Sequence, residues 1–270
     1  MALRSAIINV MAMAADKAGR SLVRDFGEVE QLQVSRKGPA DFVSSADMRA
    51  EKILRNALAQ AHPEFGLLME EGGEIKGSDD RHRWIIDPLD GTTNFLHGLP
   101  HFCISVALER DGQVVAGIVY DPVKDELFWA ERGLGAYVND RRLRVSGRGR
   151  MREGVFATGI PFLGIQDGPG HQKFLGQLGS VMAECAGVRR FGSAALDLAY
   201  VAAGRYDGFW ENGLNPWDVA AGVLLVREAG GLVTDIAGRR YELGAADICA
   251  GNDQLHQPLR KLLRKMPARY

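Results

Sequence analysis

In Trp84-Ile85-Ile86-Asp87-Pro88-Leu89-Asp90-Gly91-Thr92-Thr93-Asn94-Phe95 an apolar strand runs straight into two carboxylates three residues apart. Carboxylates at strand ends are where clefts are built. Magnesium is a hard ion that takes oxygen ligands, commonly a few carboxylates plus the phosphate of a substrate. Pro88 stiffens the turn, so Asp87, the Leu89 carbonyl and Asp90 can converge on one point. Gly91 and Thr92 then open a helix whose free backbone N–H groups face that point, which holds a phosphate without side-chain charge. Alone, the stretch is equally an Asp-Pro turn before a capped helix, so the rest of the chain decides between the two.

Two further segments bear on it. Phe65 to Met69 is a second apolar strand, followed at once by Glu70-Glu71 and then Gly72-Gly73. Alone, such a segment is a solvated turn. Trp217-Asp218-Val219-Ala220-Ala221-Gly222 starts a helix that runs to Glu228-Ala229-Gly230-Gly231. Asp218 falls in the first turn, where an acid is ordinarily a cap or a dipole partner.

Outward from these, Leu3, Ile7, Val10, Met11, Ala14, Ala18 and Leu22 follow three- and four-residue spacings, which predicts an N-terminal amphipathic helix. Arg4 and Ala12-Met13-Ala14 only loosely imitate a signal peptide. Gln31 to Lys37 reads as a strand, Gly38-Pro39 opens a loop, and a helix is expected from about Ala46 to Ala61. From Cys103 to about Val145 the pattern is an antiparallel meander, with turns at Asp111-Gly112 and Asp121-Pro122. Beyond the basic stretch Ser146 to Arg150, helices are expected near 171–184, 194–203, 217–229 and 253–265, alternating with strands. That is a second α/β lobe, with a boundary near residue 150.

The chain has 270 residues, 46% hydrophobic and 25% charged, enough to bury a substantial core as one large domain or two lobes around a cleft. Thirty-three basic against 34 acidic side chains give no general pull toward nucleic acid or an anionic membrane, so an anionic ligand must be held locally. No apolar run approaches the roughly 18 residues that span a bilayer. Cys103, Cys185 and Cys249 form neither CxxC pairs nor a disulfide ladder, which suits a reducing cytoplasm.

Taken together, Glu70-Glu71, DPLDGTTNF, and Trp-Asp-x-Ala-Ala-Gly ending in Glu-Ala-Gly-Gly resemble the inositol monophosphatase family. Asp41-Phe42-Val43-Ser44-Ser45-Ala46-Asp47 resembles an upstream segment of that family, with Ser44 where many members have threonine. Arg190-Phe191-Gly192-Ser193-Ala194-Ala195 and Tyr206-Asp207-Gly208-Phe209-Trp210-Glu211 resemble its substrate-side segments. The resemblance implies an α+β fold, a layered α/β/α/β/α sandwich of the sugar phosphatase type. An antiparallel sheet lobe (1–148) would carry most metal ligands, and a smaller α/β lobe (149–270) would supply Asp218 and substrate contacts.

The resemblance also implies magnesium ions held by Glu70, Asp87, the Leu89 carbonyl, Asp90 and Asp218. Thr92 with Glu70 would activate the attacking water, and Asp47 would hydrogen-bond near that threonine. Amides of Gly91 and Thr92 would hold the phosphate, while Asp90, Ala194, Glu211 and Asp218 would meet the hydroxyls of inositol. The expected reaction is magnesium-dependent hydrolysis of myo-inositol monophosphate. Fructose 1,6-bisphosphate, histidinol phosphate and nucleotide 3'-phosphates are the alternatives. Members acting on the last tend to have Lys-Glu where this chain has Thr93-Asn94. Lithium sensitivity and a homodimer are further expectations from resemblance, as is, for some bacterial members, a binding role in transcription or RNA regulation.

Other candidates carry less. His97 and His101 are four apart, but Gly98 and Pro100 between them break any ligand helix. Ser193 lacks a full GxSxG elbow and reads as a helix start. Arg260, Lys261, Arg264 and Lys265 read as a solvated face near a helix C-terminus, not as a nucleic-acid surface.

Overall fold

The computed structural model describes residues 4–28, 34–38, 41–161 and 168–265, with side chains described for all of these but 34–38, 41–43, 168 and 169. Helices α1 (Ala6–Phe26) and α2 (Ser45–Ala61) cover one face of an eight-stranded sheet. A hairpin of β1 (Val34–Gly38) and β2 (Asp41–Ser44) joins them. The large sheet contains β3 (Phe65–Met69), β4 (Gly73–Ile75), β5 (Asp79–Asp90), β6 (Cys103–Arg110), β7 (Gln113–Asp121), β8 (Glu126–Glu131), β9 (Gly135–Val138) and β10 (Arg141–Arg142). Their order is β10-β9-β8-β7-β6-β5-β3-β4, antiparallel except between β3 and β5. The short α3 (Thr92–Leu96) follows β5.

A second sheet takes β11 (Val155–Thr158), β12 (Gly187–Arg189), β13 (Gly208–Asn212), β14 (Leu232–Thr234) and β15 (Asp247–Gly251), in the order β12-β11-β13-β15-β14. Helices α5 (Ala194–Ala202) and α6 (Pro216–Glu228) pack with both sheets, and α4 (Gly168–Met182) and α7 (His256–Arg264) back the smaller one. The layers are therefore α/β/α/β/α.

The two-residue period of a strand generates this layering. On β5, Trp84 and Ile86 enter the core shared with α1 and α2, while Ile85 enters the core shared with α5 and α6. On β6, Ile104, Val106 and Leu108 take the first side, and Cys103 and Ala107 the second. On the second face small residues such as Ala107, Ala130 and Ala136 alternate with Val119 and Phe128, and α6 lies close to it: a Cβ on Gly117 would stand 2.9 Å from the Ala221 Cα. Val219 through Val226 are all buried, as befits a helix enclosed by two sheets.

The α1 face is carried by Ile8, Met11, Ala14, Ala15, Ala18 and Leu22; Ile7 and Val10 are partly buried, and Leu3 lies outside the described residues. Residues 31–33 of the expected first strand and Pro39 also lie outside them. Asp41–Ser44, expected as loop, pairs with β1 as an antiparallel strand, which Phe42-Val43 favour by their strand propensity. α7 starts three residues later than the pattern predicts, because Asn252 Oδ1 accepts the amides of Gln254 (3.1 Å) and Leu255 (2.7 Å) in a turn before it. Among the described residues no helix is long and apolar enough to cross a membrane.

Candidate active site

Because β3 and β5 run parallel with Met69 beside Ile86, both strands deliver their acids to the same edge. The Glu70 amide donates to the Ile86 carbonyl (3.2 Å), which sets Glu70 beside Asp87. Between Asp87 and Asp90 the ladder with β6 slips, since Asp87 faces Ser105 and Asp90 faces Cys103. This bulge puts one extra residue on β5 and re-aims the carboxylates. The Leu89 amide donates to Asp87 Oδ1 at 3.0 Å. Gly91 follows with φ of 99°, where a Cβ would meet the His101 carbonyl at 3.0 Å, so only glycine makes this entry into α3 without strain. The first amides of α3 have no partner inside the helix.

Thr92 Oγ1 lies 3.0 Å from the Leu89 carbonyl and 3.1 Å from Asp47 Oδ1, and its single proton serves one of them at a time. Asp47 is fully buried, and its other oxygen accepts the Ser44 amide (2.9 Å) and the Ser44 hydroxyl in a capping box. Burial raises the Asp47 carboxyl above its usual range, against the lowering effect of the Ser44 and Thr92 hydrogen bonds.

From the other half of the chain, Asp218 stands third in α6, where its Oδ2 accepts the Asn215 amide at 2.7 Å. Ser105 Oγ, opposite Asp87, donates to the Trp217 carbonyl (3.3 Å) and pins this helix start to β6. Asp90 Oδ2 accepts the Ser193 hydroxyl and the Ala195 amide, both at 2.7 Å, so Ala194 and the start of α5 sit against it. Glu211, near the end of β13, lies over Gly159 so closely that a Cβ there would overlap its carboxylate.

The electrostatics tie these groups together. Asp87 is pushed well above the carboxylate range by burial and then by the charges of Glu70, Asp90 and Asp218. Asp218 is raised well up by burial and by Asp90, Glu70 and Glu211. Asp90 is pushed up to about 6 by burial, against the Ser193 hydrogen bond. Glu211 is pushed up to about 8 by burial and by Asp90, with Arg190 opposing. Carboxylates that raise one another need protons or cations to coexist. As the side chains stand, no three His, Cys, Asp or Glu among the described residues close on one point tightly enough to grip an ion. Hydrogen bonds hold several of the carboxylates in place instead.

All the sequence-predicted positions, Asp47, Glu70, Asp87, Leu89, Asp90, Gly91, Thr92, Ala194, Glu211 and Asp218, meet in this region through these hydrogen bonds and charges. Glu71 departs from it: its amide donates to Glu51 Oε2 (2.8 Å). Glu51, a buried acid that props the end of β3, escaped the sequence, as did Ser105, whose only signal is one hydroxyl in an otherwise apolar run. Asp197, inside an apolar helix, carries no sequence signal of its own; it is buried with Oδ1 unpartnered, and burial with the charges of Glu211 and Asp90 pushes its carboxyl well up. Ser193 starts α5 as expected and in addition holds Asp90. His97 and His101 point to other work, His97 Nδ1 lying 2.7 Å from the Thr93 carbonyl and His101 packing on Phe191.

The fold is thus a five-layer α/β/α/β/α sandwich with buried acids where strand and helix ends meet. The chain matches the model of the Inositol monophosphatase family over residues 3–268 and belongs to that family, whose members are metal-dependent phosphatases. It is 58% identical over 262 residues to an inositol-1-monophosphatase of Rhizobium meliloti (strain 1021), covering 97% of each chain. It is 45% identical over 249 residues to the Nus factor SuhB of Escherichia coli (strain K12), covering 92% of each. The extragenic suppressor protein SuhB of Bartonella henselae superposes with a TM-score of 0.93 at 60% identity, over 97% of this chain and 99% of that one. The protein is a phosphoric monoester hydrolase.

Proposed function

We propose that the protein hydrolyses myo-inositol monophosphate to inositol and phosphate with magnesium as its metal. The observation that carries this is a group of buried acids at the entry to α3: burial raises Asp87, Asp90 and Asp218, and the charges of Glu70 and Asp90 raise Asp87 and Asp218 further. An all-oxygen donor set of this charge fits hard divalent cations. Glu70, Asp87, the Leu89 carbonyl, Asp90 and Asp218 would hold magnesium, which when bound neutralises phosphate charge and lowers the pKa of water. Thr92, steadied by Asp47, orients the attacking water, and Glu70 takes its proton. The amides of Gly91 and Thr92 hold phosphate oxygens. Glu211 and Ala194, with the free edges of Asp90 and Asp218, meet the hydroxyls of the alcohol.

The relative named inositol-1-monophosphatase supports this alcohol over fructose 1,6-bisphosphate, histidinol phosphate or a nucleotide 3'-phosphate. Residues 149–270 act as the lobe that brings Asp218 and Glu211 to ligands carried by residues 1–148. The protein works in the cytoplasm as a lithium-sensitive homodimer. The relative named a Nus factor favours an additional binding role in transcription, compatible with catalysis and tested by a salt-dependent RNA pull-down. Hydrolysis is tested on a panel of inositol, sugar and nucleotide phosphates with magnesium and then with EDTA. Inositol monophosphate should be turned over fastest and EDTA should abolish turnover; activity surviving exhaustive chelation overturns the mechanism.

A further inference from the structure

Helices α5 and α6 and strand β13 each have one end among the carboxylates, at Ser193, Asp218 and Glu211. Near their other ends lies an open, shallow cleft of about 770 Å³ that catalysis leaves without a role. Ala203 and Gly204, just past α5, line it. Val145, inside the loop that forms its wall, donates its amide to the Ala229 carbonyl at the far end of α6 (3.1 Å). The thirteen residues of α6 put the cleft about 20 Å from the catalytic region.

Six of the twelve residues 141–152 are arginine, in a chain whose net charge is -1. Arg144, Arg148 and Arg150 face the cleft with a single acid, Glu153. Arg150 is 3.3 Å from Glu153, and Arg148 gives Nη1 to Asp207 at 3.1 Å. Arg144 has no hydrogen-bond or ion-pair partner for its guanidinium among the described residues, and the outer edge of Arg148 is uncommitted.

The loop that carries them is anchored from below by buried polar groups. Asp207, fully buried, accepts the Ser146 hydroxyl (2.5 Å), Arg148 Nη1 and the Val155 amide (2.8 Å). Asn252, also buried, donates to Ser146 Oγ (2.8 Å) and to the Arg148 carbonyl (3.0 Å). A loop held in this way displays its guanidiniums without paying the ordering entropy on binding. The C-terminal carbonyls of α5 nearby oppose an anion little, because the Ala203, Gly204, Arg205 and Tyr206 amides already cap them.

We infer that this cleft is a second ligand site, distinct from the catalytic one, for a small molecule bearing a pyrophosphoryl group, either pyrophosphate itself or a nucleoside diphosphate. Guanidinium edges match phosphate oxygens in pairs, and two edges across one concavity suit two linked phosphates. The depression is open to solvent and wide enough to seat two linked phosphates. A nucleic acid is disfavoured because the three arginines gather round one hollow instead of running in a stripe, and the near-neutral chain gives a polyanion no long-range attraction.

Isothermal titration of the whole protein in EDTA separates this cleft from the catalytic region, where uncompensated carboxylates then repel anions. Pyrophosphate and ADP, titrated separately, should each bind at one site, and Arg144→Gln should weaken both at least about tenfold. The variant should keep wild-type turnover and melting temperature, and Arg20→Gln, which loses only an exposed pair with Asp16, should bind as wild type. Tighter binding of ADP identifies a nucleotide as the natural ligand; equal binding assigns the pyrophosphoryl group alone. No binding up to about 10 mM, or binding that Arg144→Gln leaves unchanged, overturns the site. So does a single-stranded RNA oligonucleotide that requires Arg144 while pyrophosphate does not bind.

Discussion

Glu70 is the site residue whose neighbours in sequence say least, since Glu-Glu-Gly-Gly after a strand has the composition of a solvated turn. In the folded chain its amide is locked to Ile86 and its charge bears on Asp87. If it ligates metal and takes the proton of the attacking water, Glu70→Gln keeps the shape and loses both functions. We expect kcat to fall by roughly a hundredfold or more. The metal-free variant should melt at the wild-type temperature or above it, because one source of repulsion is gone. Near-normal turnover against magnesium concentration would remove Glu70 from the site. Glu211 calls for a different measurement. It lies over Gly159 in the second half of the chain, where an alcohol would sit, so Glu211→Gln should reorder the panel of phosphate esters while leaving the magnesium dependence nearly unchanged. A uniform fall for every ester would make it a structural support.

At the scale of elements, the position of Asp218 depends on how closely α6 approaches the large sheet, and Gly117 sets that distance through its contact with Ala221. Gly117→Ala should push the helix outward or strain it, costing about 1–3 kcal/mol as overpacking does. Urea unfolding reads that cost, and a rightward shift in the magnesium dependence of turnover reads the displaced Asp218; unchanged values in both would mean the helix is placed by other contacts. Local patterns revealed most elements, because alternation on β5 and β6 and the uninterrupted apolar run of α6 are consequences of burial that composition carries. The acids at Asp87, Asp90 and Asp218 were visible for the same reason, standing where apolar runs stop. What local patterns could not reveal is long-range. The bulge between Asp87 and Asp90 exists only relative to β6, and Ser193 becomes a partner of Asp90 only once α5 is docked. Glu51 and Ser105 likewise acquire their roles from residues far along the chain.

For the molecule as a whole, gathering these carboxylates in one region makes stability depend on protons and metal together. Asp87, Asp90, Asp218 and Glu211 have folded pKa values above their unfolded ones, so in the interval between the two the folded chain holds a proton that the unfolded chain has released. Stability from such a group is complete below the unfolded value and is lost as pH rises through the folded one. For Asp90 the interval runs from 3.8 to about 6, and for Glu211 from 4.5 to about 8. Asp87 and Asp218, both raised well up, act in the same direction. His101 acts oppositely: burial depresses it to about 4, so its contribution grows as pH rises from there toward 6.5. Lowering of His256 by burial has the same sign. Between pH 6.5 and 8.5 the histidines are past their ordinary range, whereas Glu211, whose interval runs to about 8, is still losing its proton. EDTA-treated protein should therefore melt lower at pH 8.5 than at pH 6.5, by several degrees at roughly 2–4 °C per kcal/mol for a chain near this size. Saturating magnesium substitutes for the protons and should raise both melting temperatures, the higher-pH one more, so that the slope flattens. Glu211→Gln should remove part of the slope in EDTA. Equal melting temperatures at the two pH values in EDTA, or a slope that magnesium leaves intact, would mean that the carboxylates neither repel one another nor share a cation.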